Sequence, residues 1–227
     1  MKPREHWDRI YRRSAPTALS WYQPEPTVSL ALIRRVAPDL DAPIIDVGAG
    51  ASTLVDGLLD AGYRNVTVLD LSGAALAVAH ERLGARAAAV RWIEADVLAA
   101  PLAPSAYAVW HDRAVFHFLT EARDRAAYVA AAHEAVRCGG HVIVASFAPD
   151  GPAKCSGLEV VRYSAGEIHA QFGAGFRQVD SVRDEHHTPS GAVQAFAYCL
   201  CRVDESEATT RRDASVATPP ATAPSRA

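Results

Sequence analysis

The stretch "PIIDVGAGAST" (residues 43–53) sets a carboxylate, Asp46, just ahead of a glycine turn. Gly48 and Gly50 allow dihedrals and close approaches that a side chain forbids, so the turn suits a ligand lying against the main chain. A dinucleotide would call for a third glycine to pack the next helix closely, and Thr53 stands in its place. A carboxylate beside a diphosphate would also repel it. Asp46 therefore asks for positive charge on the ligand, unless it only caps the turn. Two more acids end apolar runs. Asp70, in "VTVLDLS" with Leu71 beside it, stands where such sheets place a ligand for the two ribose hydroxyls. Asp96, in "IEADVL", has Val97 next to it, apolar enough to flank a flat base; Asp is also a common loop starter.

A nucleoside bearing an ammonium and a sulfonium fits these three acids, and that ligand is S-adenosylmethionine. A second group, "AVWHDRAVFHFL", crowds His111, Asp112, Arg113 and His117 after an apolar run. Asp112, His111 and His117 are the candidates for catalysis; the competing readings are an Asp112–Arg113 ion pair and a satisfied, half-buried His117. Trp21 and Tyr22 can close over a cation, since aromatic faces attract one, or simply pack. Cys155 lies in a Gly/Pro-broken loop (147–158) where substrate loops sit, although a lone cysteine is more often inert. His186 and His187 are adjacent, so their side chains diverge and one metal cannot easily take both. No metal site is expected.

The elements that must hold these groups alternate. Residues 43–47, 65–70, 89–96, 106–112 and 138–147 read as strands. Between them lie helical patterns: 52–62 with Leu54, Val55, Leu58 and Leu59 on one face, a second capped by Ser72, and a third over 121–137. A short helix over 164–173 and two closing strands, 175–185 and 192–203, complete the body. This order predicts an α/β fold: a doubly wound, seven-stranded, mostly parallel sheet with helices on both faces and an antiparallel edge hairpin. Trp92 and Trp110 read as core. Residues 1–42 stand outside the repeat as a helical lid, with Trp7, Ile10 and Tyr11 on one helix and Val28, Leu32, Ile33 and Val36 on the next. Residues 43–203 form the binding domain. Residues 204–227, rich in Ala, Thr, Pro and Ser, bury too little to offset their ordering entropy and read as a disordered tail.

At 227 residues and a net charge of -3, the chain reads as one domain without a broad basic surface, which makes nucleic acid an unlikely partner. No apolar run is long enough to span a bilayer, and the charged N-terminus lacks a signal-peptide pattern. The four cysteines show no CxxC pair, so a reduced, cytoplasmic protein is expected.

The chain resembles the Rossmann-like (class I) S-adenosylmethionine-dependent methyltransferases from about Ile44 to Val203. The resemblance rests on "DVGAGAS", "VTVLDLS", "EADVL", "AVWHDRAVFHFL" and "VRCGGHVIVASF", five motifs in order. Cys138 stands where the family often has Pro. The segment "HDRAVFHFL" is similar to protein-lysine methyltransferases of citrate synthase and elongation factor. The N-terminal "HWDRIYRRSAPTALSWYQ" is similar to the lid of thiol and thiopurine methyltransferases. The resemblance implies that Asp46, Gly48, Gly50, Asp70, Leu71, Asp96, Val97 and Trp21 hold S-adenosylmethionine. It implies methyl transfer to a small molecule, thiols included, or to a protein side chain. An NAD(P)-dependent oxidoreductase and a non-catalytic cofactor-binding protein remain as alternatives.

Overall fold

The computed structural model describes residues 3–204, so the tail expected over 204–227 lies almost wholly outside the described residues. The chain opens with α1 (Pro3–Arg13) and α2 (Thr27–Val36), then alternates β1 (Ile44–Val47), α3 (Leu54–Asp60), β2 (Val66–Asp70), α4 (Gly73–Leu83) and β3 (Val90–Glu94). It returns through β4 (Tyr107–Arg113), α5 (Ala122–Ala135) and β5 (Val136–Phe147). A two-rung hairpin, β6 (Lys154–Cys155) and β7 (Leu158–Glu159), leads to α6 (Ala165–Phe172) and to the long pair β8 (Phe176–His187) and β9 (Val193–Val203).

The seven main strands form one sheet in the order β3-β2-β1-β4-β5-β9-β8. The first five are parallel; β9 runs antiparallel to β5 and to β8, as the absence of a helix between the last two strands requires. The chain leaves β1 toward β2 and later returns on its other side as β4. The tips of β1 and β4 therefore flank the crevice where such sheets bind ligands.

Strand parity distributes the side chains between two cores. Ile44, Val109 and Ile143 face one layer, with Leu32 and Ile33 of α2 and Leu54 and Leu58 of α3. Ile45, Val47 and Trp110 face the other, with Tyr128 of α5 and Ile168 and Phe172 of α6. β1 and β4 are buried on both faces, which is why they read as apolar runs rather than as alternations. Ser72 caps α4, its hydroxyl accepting from the Ala75 amide at 3.2 Å. Ser164 and Glu167 close a reciprocal capping box at α6.

Three local expectations are corrected. The helix expected to reach residue 137 stops at Ala135, because Val136 already pairs with Tyr107 in the sheet; its buried apolar side chain suits either element. The loop over 147–158 contains β6 and pairs it with β7. Trp92 is only half-buried, because β3 is the outer strand: it lies against His80 and donates its indole N–H to the Ala87 carbonyl at 3.0 Å. Trp110 is fully buried, as expected, and donates to the Tyr128 hydroxyl at 2.9 Å.

Candidate cofactor and acceptor cleft

The glycine turn folds as its composition demands. Gly48 has φ +60° and Gly50 φ +55°, in the left-handed region that side chains avoid. A Cβ at Gly48 would overlap Val115, and one at Gly50 would overlap the Tyr11 hydroxyl. The glycines thus let the Val115 and Tyr11 side chains approach the main chain of the turn directly. Asp70, at the tip of β2, reaches over it. One carboxylate oxygen accepts from the Gly50 amide at 2.7 Å and the other from the Ser72 amide at 2.7 Å. Burial pushes this carboxyl up to about 6, against the pull of those two amides, with Asp46 and Asp8 adding repulsion.

Asp46 and His111 are register partners on β1 and β4 and share a face. The imidazole Nδ1 meets Asp46 Oδ1 at 2.7 Å, and Nε2 meets the Ser29 hydroxyl of α2 at 2.8 Å. All three residues are buried. Asp46 Oδ2 is also buried but has no partner among the described residues. Buried carboxylate oxygens are rarely left unpaired, so an unfilled Oδ2 is the mark of a missing donor. Asp46 and His111 border a small pit of about 60 Å³ against the glycine turn, Tyr11 and Arg113. An ammonium entering the pit would complete Asp46.

The pit adjoins a cleft of about 540 Å³, within the range of small-molecule sites. Asp70, Leu71, Asp96 and Val97 line one end of it, around the tips of β2 and β3. Asp96 is exposed and accepts from the Leu98 amide at 3.0 Å, so it holds its own loop as well as facing the cleft. Trp21 borders both the pit and the cleft. Of the residues that the sequence assigned to the ligand, Asp46, Gly48, Asp70, Leu71, Asp96, Val97 and Trp21 lie on this connected space, whereas Gly50 does not line it and gives its amide to Asp70 instead. The donor set fits S-adenosylmethionine.

The three catalytic candidates part company. Asp112 is adjacent to His111 but, by the two-residue period of a strand, faces the opposite layer. Its carboxylate accepts from the Val115 amide (2.8 Å), the Phe116 amide (3.0 Å) and the Tyr128 hydroxyl (2.5 Å). It is fully buried, burial pushes its carboxyl up to about 6, and it does not line the cleft. It ties the turn after β4 to α5. His117 is also fully buried. Its Nδ1 accepts from the Phe147 amide at 3.3 Å, and burial drives the imidazole down to about 3, so it stays neutral. It too lies behind the cleft wall. Of the three, His111 alone borders the ligand space, and it does so through Asp46. No Asp112–Arg113 ion pair forms, because the strand sends the two side chains to opposite faces.

Arg113 turns instead toward the cleft. Its guanidinium stacks on Phe196, 4.1 Å from the ring centre. Nε donates to the Tyr198 hydroxyl at 3.2 Å and Nη1 to the Trp21 carbonyl at 3.2 Å; Nη2 is buried without a partner among the described residues. Phe118, Phe147, Phe196 and Cys155 line the same end. Burial pushes the Cys155 thiol up to about 11, which leaves it protonated and unreactive. His186 holds the Ser20 carbonyl at 2.8 Å and so fixes the start of the Trp21 segment. No cluster of metal-binding side chains occurs among the described residues.

The N-terminal segment covers the cleft. Arg4 pairs with Glu94 at the end of β3. Asp8 accepts from the Ser72 hydroxyl at 2.6 Å and from the Ala74 amide at 3.3 Å, at the N-terminus of α4, where the helix dipole favours a carboxylate. Tyr11 lies over Gly50 and accepts from the Trp21 indole at 3.3 Å. Trp7 packs edge-on against Trp21 and Phe118, with ring centres 5.8 Å and 5.1 Å apart. Sequence reasoning missed Asp8 and Ser29. Asp8 carries no local signal among the charges of α1. Ser29 had one: a hydroxyl on the apolar stripe of α2 needs a buried partner.

Comparison with known proteins agrees with this geometry. Residues 44–140 match the family model described as "Methyltransferase domain". Over 180 residues the chain is 22% identical to the Danio rerio protein "eEF1A lysine and N-terminal methyltransferase"; the match covers 78% of this chain but 26% of that protein, about a quarter of its length. The fold is similar to a solved structure concerned with the conversion of a disulfide bond into a thioacetal group during echinomycin biosynthesis (TM-score 0.73, 21% identity, 95% of this chain and 98% of that one). It is also similar to the N-methyltransferase NodS from Bradyrhizobium japonicum WM9, solved with S-adenosyl-L-homocysteine (TM-score 0.66, 15% identity, 89% and 98%).

Proposed function

We propose that the chain is a class I S-adenosylmethionine-dependent methyltransferase and that it methylates a small molecule enclosed in the cleft beneath a lid formed by the N-terminal segment. In this reading Asp70 holds the ribose hydroxyls and Asp46 Oδ2 the amino group. Asp96, Val97 and Leu71 hold the base, the main chain of Gly48 accepts the body of the cofactor, and Trp21 covers it. The cofactor supplies a methyl group on a sulfonium, already activated for displacement.

The protein's own work is then alignment and exclusion of water. Such positioning contributes about 7–11 kcal/mol in favourable cases. His111 and Ser29 hold Asp46 in one orientation, so its free oxygen faces the pit without a conformational search. Asp112 fixes the turn that carries Val115 and Phe116, and so the wall opposite Gly48. Asp8, Arg4 and Tyr11 close α1 over the ribose end.

The observation that carries the small-molecule reading is the closure itself. Trp7, Trp21 and Phe118 meet edge to edge over the cleft, and its wall beside Arg113 carries Phe147, Phe196 and Cys155, an apolar surface that suits a small enclosed acceptor. A protein side chain is the second reading, favoured by the identity with the eEF1A methyltransferase. The two separate in a transfer assay with tritium-labelled S-adenosylmethionine. The expected outcome is label in low-molecular-weight products of a thiol, amine and carboxylate panel or of a deproteinised extract. Label found only in protein bands would support the second reading. Calorimetric binding of S-adenosylhomocysteine without transfer to either class of acceptor would mark a non-catalytic binding protein.

A further inference from the structure

We infer that Arg82, in the last turn of α4, is a positioning residue for the cofactor: it holds the second half of the glycine turn from outside the site, and with it the wall of the pit that receives the cofactor's amino-acid end. The inference rests on the methyltransferase reading and adds to it a residue that lines neither the pit nor the cleft.

The first observation is the set of atoms that the guanidinium meets. Nη1 donates to the Ala51 carbonyl at 2.8 Å and Nη2 to the Ser52 carbonyl at 2.7 Å. Nη2 also donates to Asp56 Oδ2 at 2.7 Å, and Nε lies 3.2 Å from the same oxygen and 3.3 Å from Oδ1. All three nitrogens are engaged, with α3 through Asp56 and with the turn through two peptide oxygens. Ala51 and Ser52 precede Thr53, the N-cap of α3, so the hydrogen-bond ladder of that helix leaves their carbonyls unused. A planar fork of donors can serve a carboxylate and two carbonyls at once, which a compact ammonium does less well.

The second observation is where those two residues stand. Ala51 and Ser52 line the pit together with Asp46, His111 and Arg113, and they do not line the wider cleft. The turn is therefore held at two points. Asp70 takes the Gly50 amide at 2.7 Å, on the side assigned to the ribose, and Arg82 takes the two carbonyls that follow. With Ala51 and Ser52 fixed, the pit keeps its shape before a ligand arrives, and less ordering is left for binding to offset. Without Arg82 that ordering falls to the cofactor, and the loss is confined to the end that enters the pit.

The third observation is a neighbour that makes similar ion pairs without reaching the turn. Arg86 pairs with Asp60 and, at 3.5 Å, with Asp56. Both arginines thus fasten the chain at the end of α4 to α3. Exposed ion pairs contribute little to stability, so if fastening were the whole role of Arg82, its loss and that of Arg86 would look alike. The two carbonyls are what set Arg82 apart.

The test compares two ligands. S-adenosylhomocysteine carries the amino-acid end; 5′-methylthioadenosine has the same nucleoside and thioether sulfur but lacks that end. Affinities for both are measured by calorimetry, the weaker ligand through its competition with the stronger, for the full chain and for Arg82→Ala, Arg82→Lys and Arg86→Ala. Arg82→Ala should lose about tenfold in affinity for S-adenosylhomocysteine and keep that for 5′-methylthioadenosine within about threefold, with little change in melting temperature. Arg82→Lys should lose less, and Arg86→Ala should alter neither affinity. Equal loss of both ligands in Arg82→Ala overturns the inference by making the residue a fastening of the whole domain. Loss of neither overturns it by making the turn self-supporting, and so does an Arg86→Ala protein that behaves like Arg82→Ala. Should Arg82→Ala not fold, Arg82→Lys decides: weaker binding of S-adenosylhomocysteine alone supports the role, and equal or no loss overturns it. If the wild-type protein takes up neither ligand, it is the methyltransferase reading that fails. Wild-type binding of both, with Arg82 variants that treat them alike, removes only the role given to Arg82.

Discussion

The two ends of the cleft treat their charges differently. Around β1, β2 and β3 each acid is held through at least one oxygen: Asp70 by two amides, Asp96 by one, and Asp46 by an imidazole, with its Oδ2 left open to the pit. Around β4, β5 and β9, the half-buried Arg113 keeps a buried donor without a partner among the described residues, beside a wall of phenylalanines. An end built from main-chain amides and acids held by them is set by the turn itself and serves one ligand. An end built from side chains over an aromatic wall can change with its residues, and with it the acceptor. The contrast also separates Asp112 from Arg113: neighbours in sequence, one locked into the turn behind the wall, the other presented to the cleft.

That contrast can be broken most forcefully at Asp112. Asp112→Ala strands two amides and the Tyr128 hydroxyl, and should cost about 3 kcal/mol of stability, read from the urea midpoint. Asp112→Asn keeps acceptors in place and should stay folded and active. If the Asn protein is folded and binds S-adenosylhomocysteine, yet loses methyl transfer a hundredfold, Asp112 belongs to the reaction and the division of β4 into two faces is wrong.

Next comes Asp70. Asp70→Ala should weaken S-adenosylhomocysteine binding by roughly ten- to a hundredfold, about 1.4–2.8 kcal/mol by calorimetry; unchanged affinity would reject its ribose assignment. The pH dependence sharpens the same point. The carboxyl titrates near 6 in the free protein, and ribose hydroxyls favour its ionised form, so affinity should be flat above pH 7 and decline below 6 by up to about tenfold per unit. Asp70→Asn should flatten that profile. For the ligand-free protein the sign reverses: with the folded value raised above 3.8, the stability Asp70 contributes is present at low pH and is lost as pH rises through about 6.

The smallest effect is at the latch. Asp8→Ala removes a carboxylate from the N-terminus of α4 and should accelerate S-adenosylhomocysteine release several-fold, an effect of about 1 kcal/mol in stopped-flow displacement, with little change in melting temperature. An unchanged release rate would mean that α1 packs on the domain without gating it.

The glycine turn and the acids around it were legible in the sequence because their chemistry is local. Gly48 and Gly50 must take positive φ, and an acid at the end of a buried strand next to such a turn has few other uses. The acceptor end was not. Arg113 reads as an ion-pair partner for Asp112 until the sheet shows which face each one takes. Phe147 and Phe196 are 49 residues apart and become neighbours only when β9 pairs with β5. His117 gives no sign in the sequence that it is buried and neutral.

By itself, then, the chain's order of apolar runs, glycines and strand-end acids determines a doubly wound sheet and a glycine turn ringed by strand-end carboxylates, because each of those features is a property of a few consecutive residues. Tertiary structure alone decides that Ser29 and His111 hold Asp46, that α1 reaches Ser72 and Glu94 at the tips of β2 and β3, and that Arg113 meets no ion-pair partner among the described residues. Those are relations between distant segments, and burial and electrostatics depend on everything that surrounds a group rather than on its neighbours along the chain.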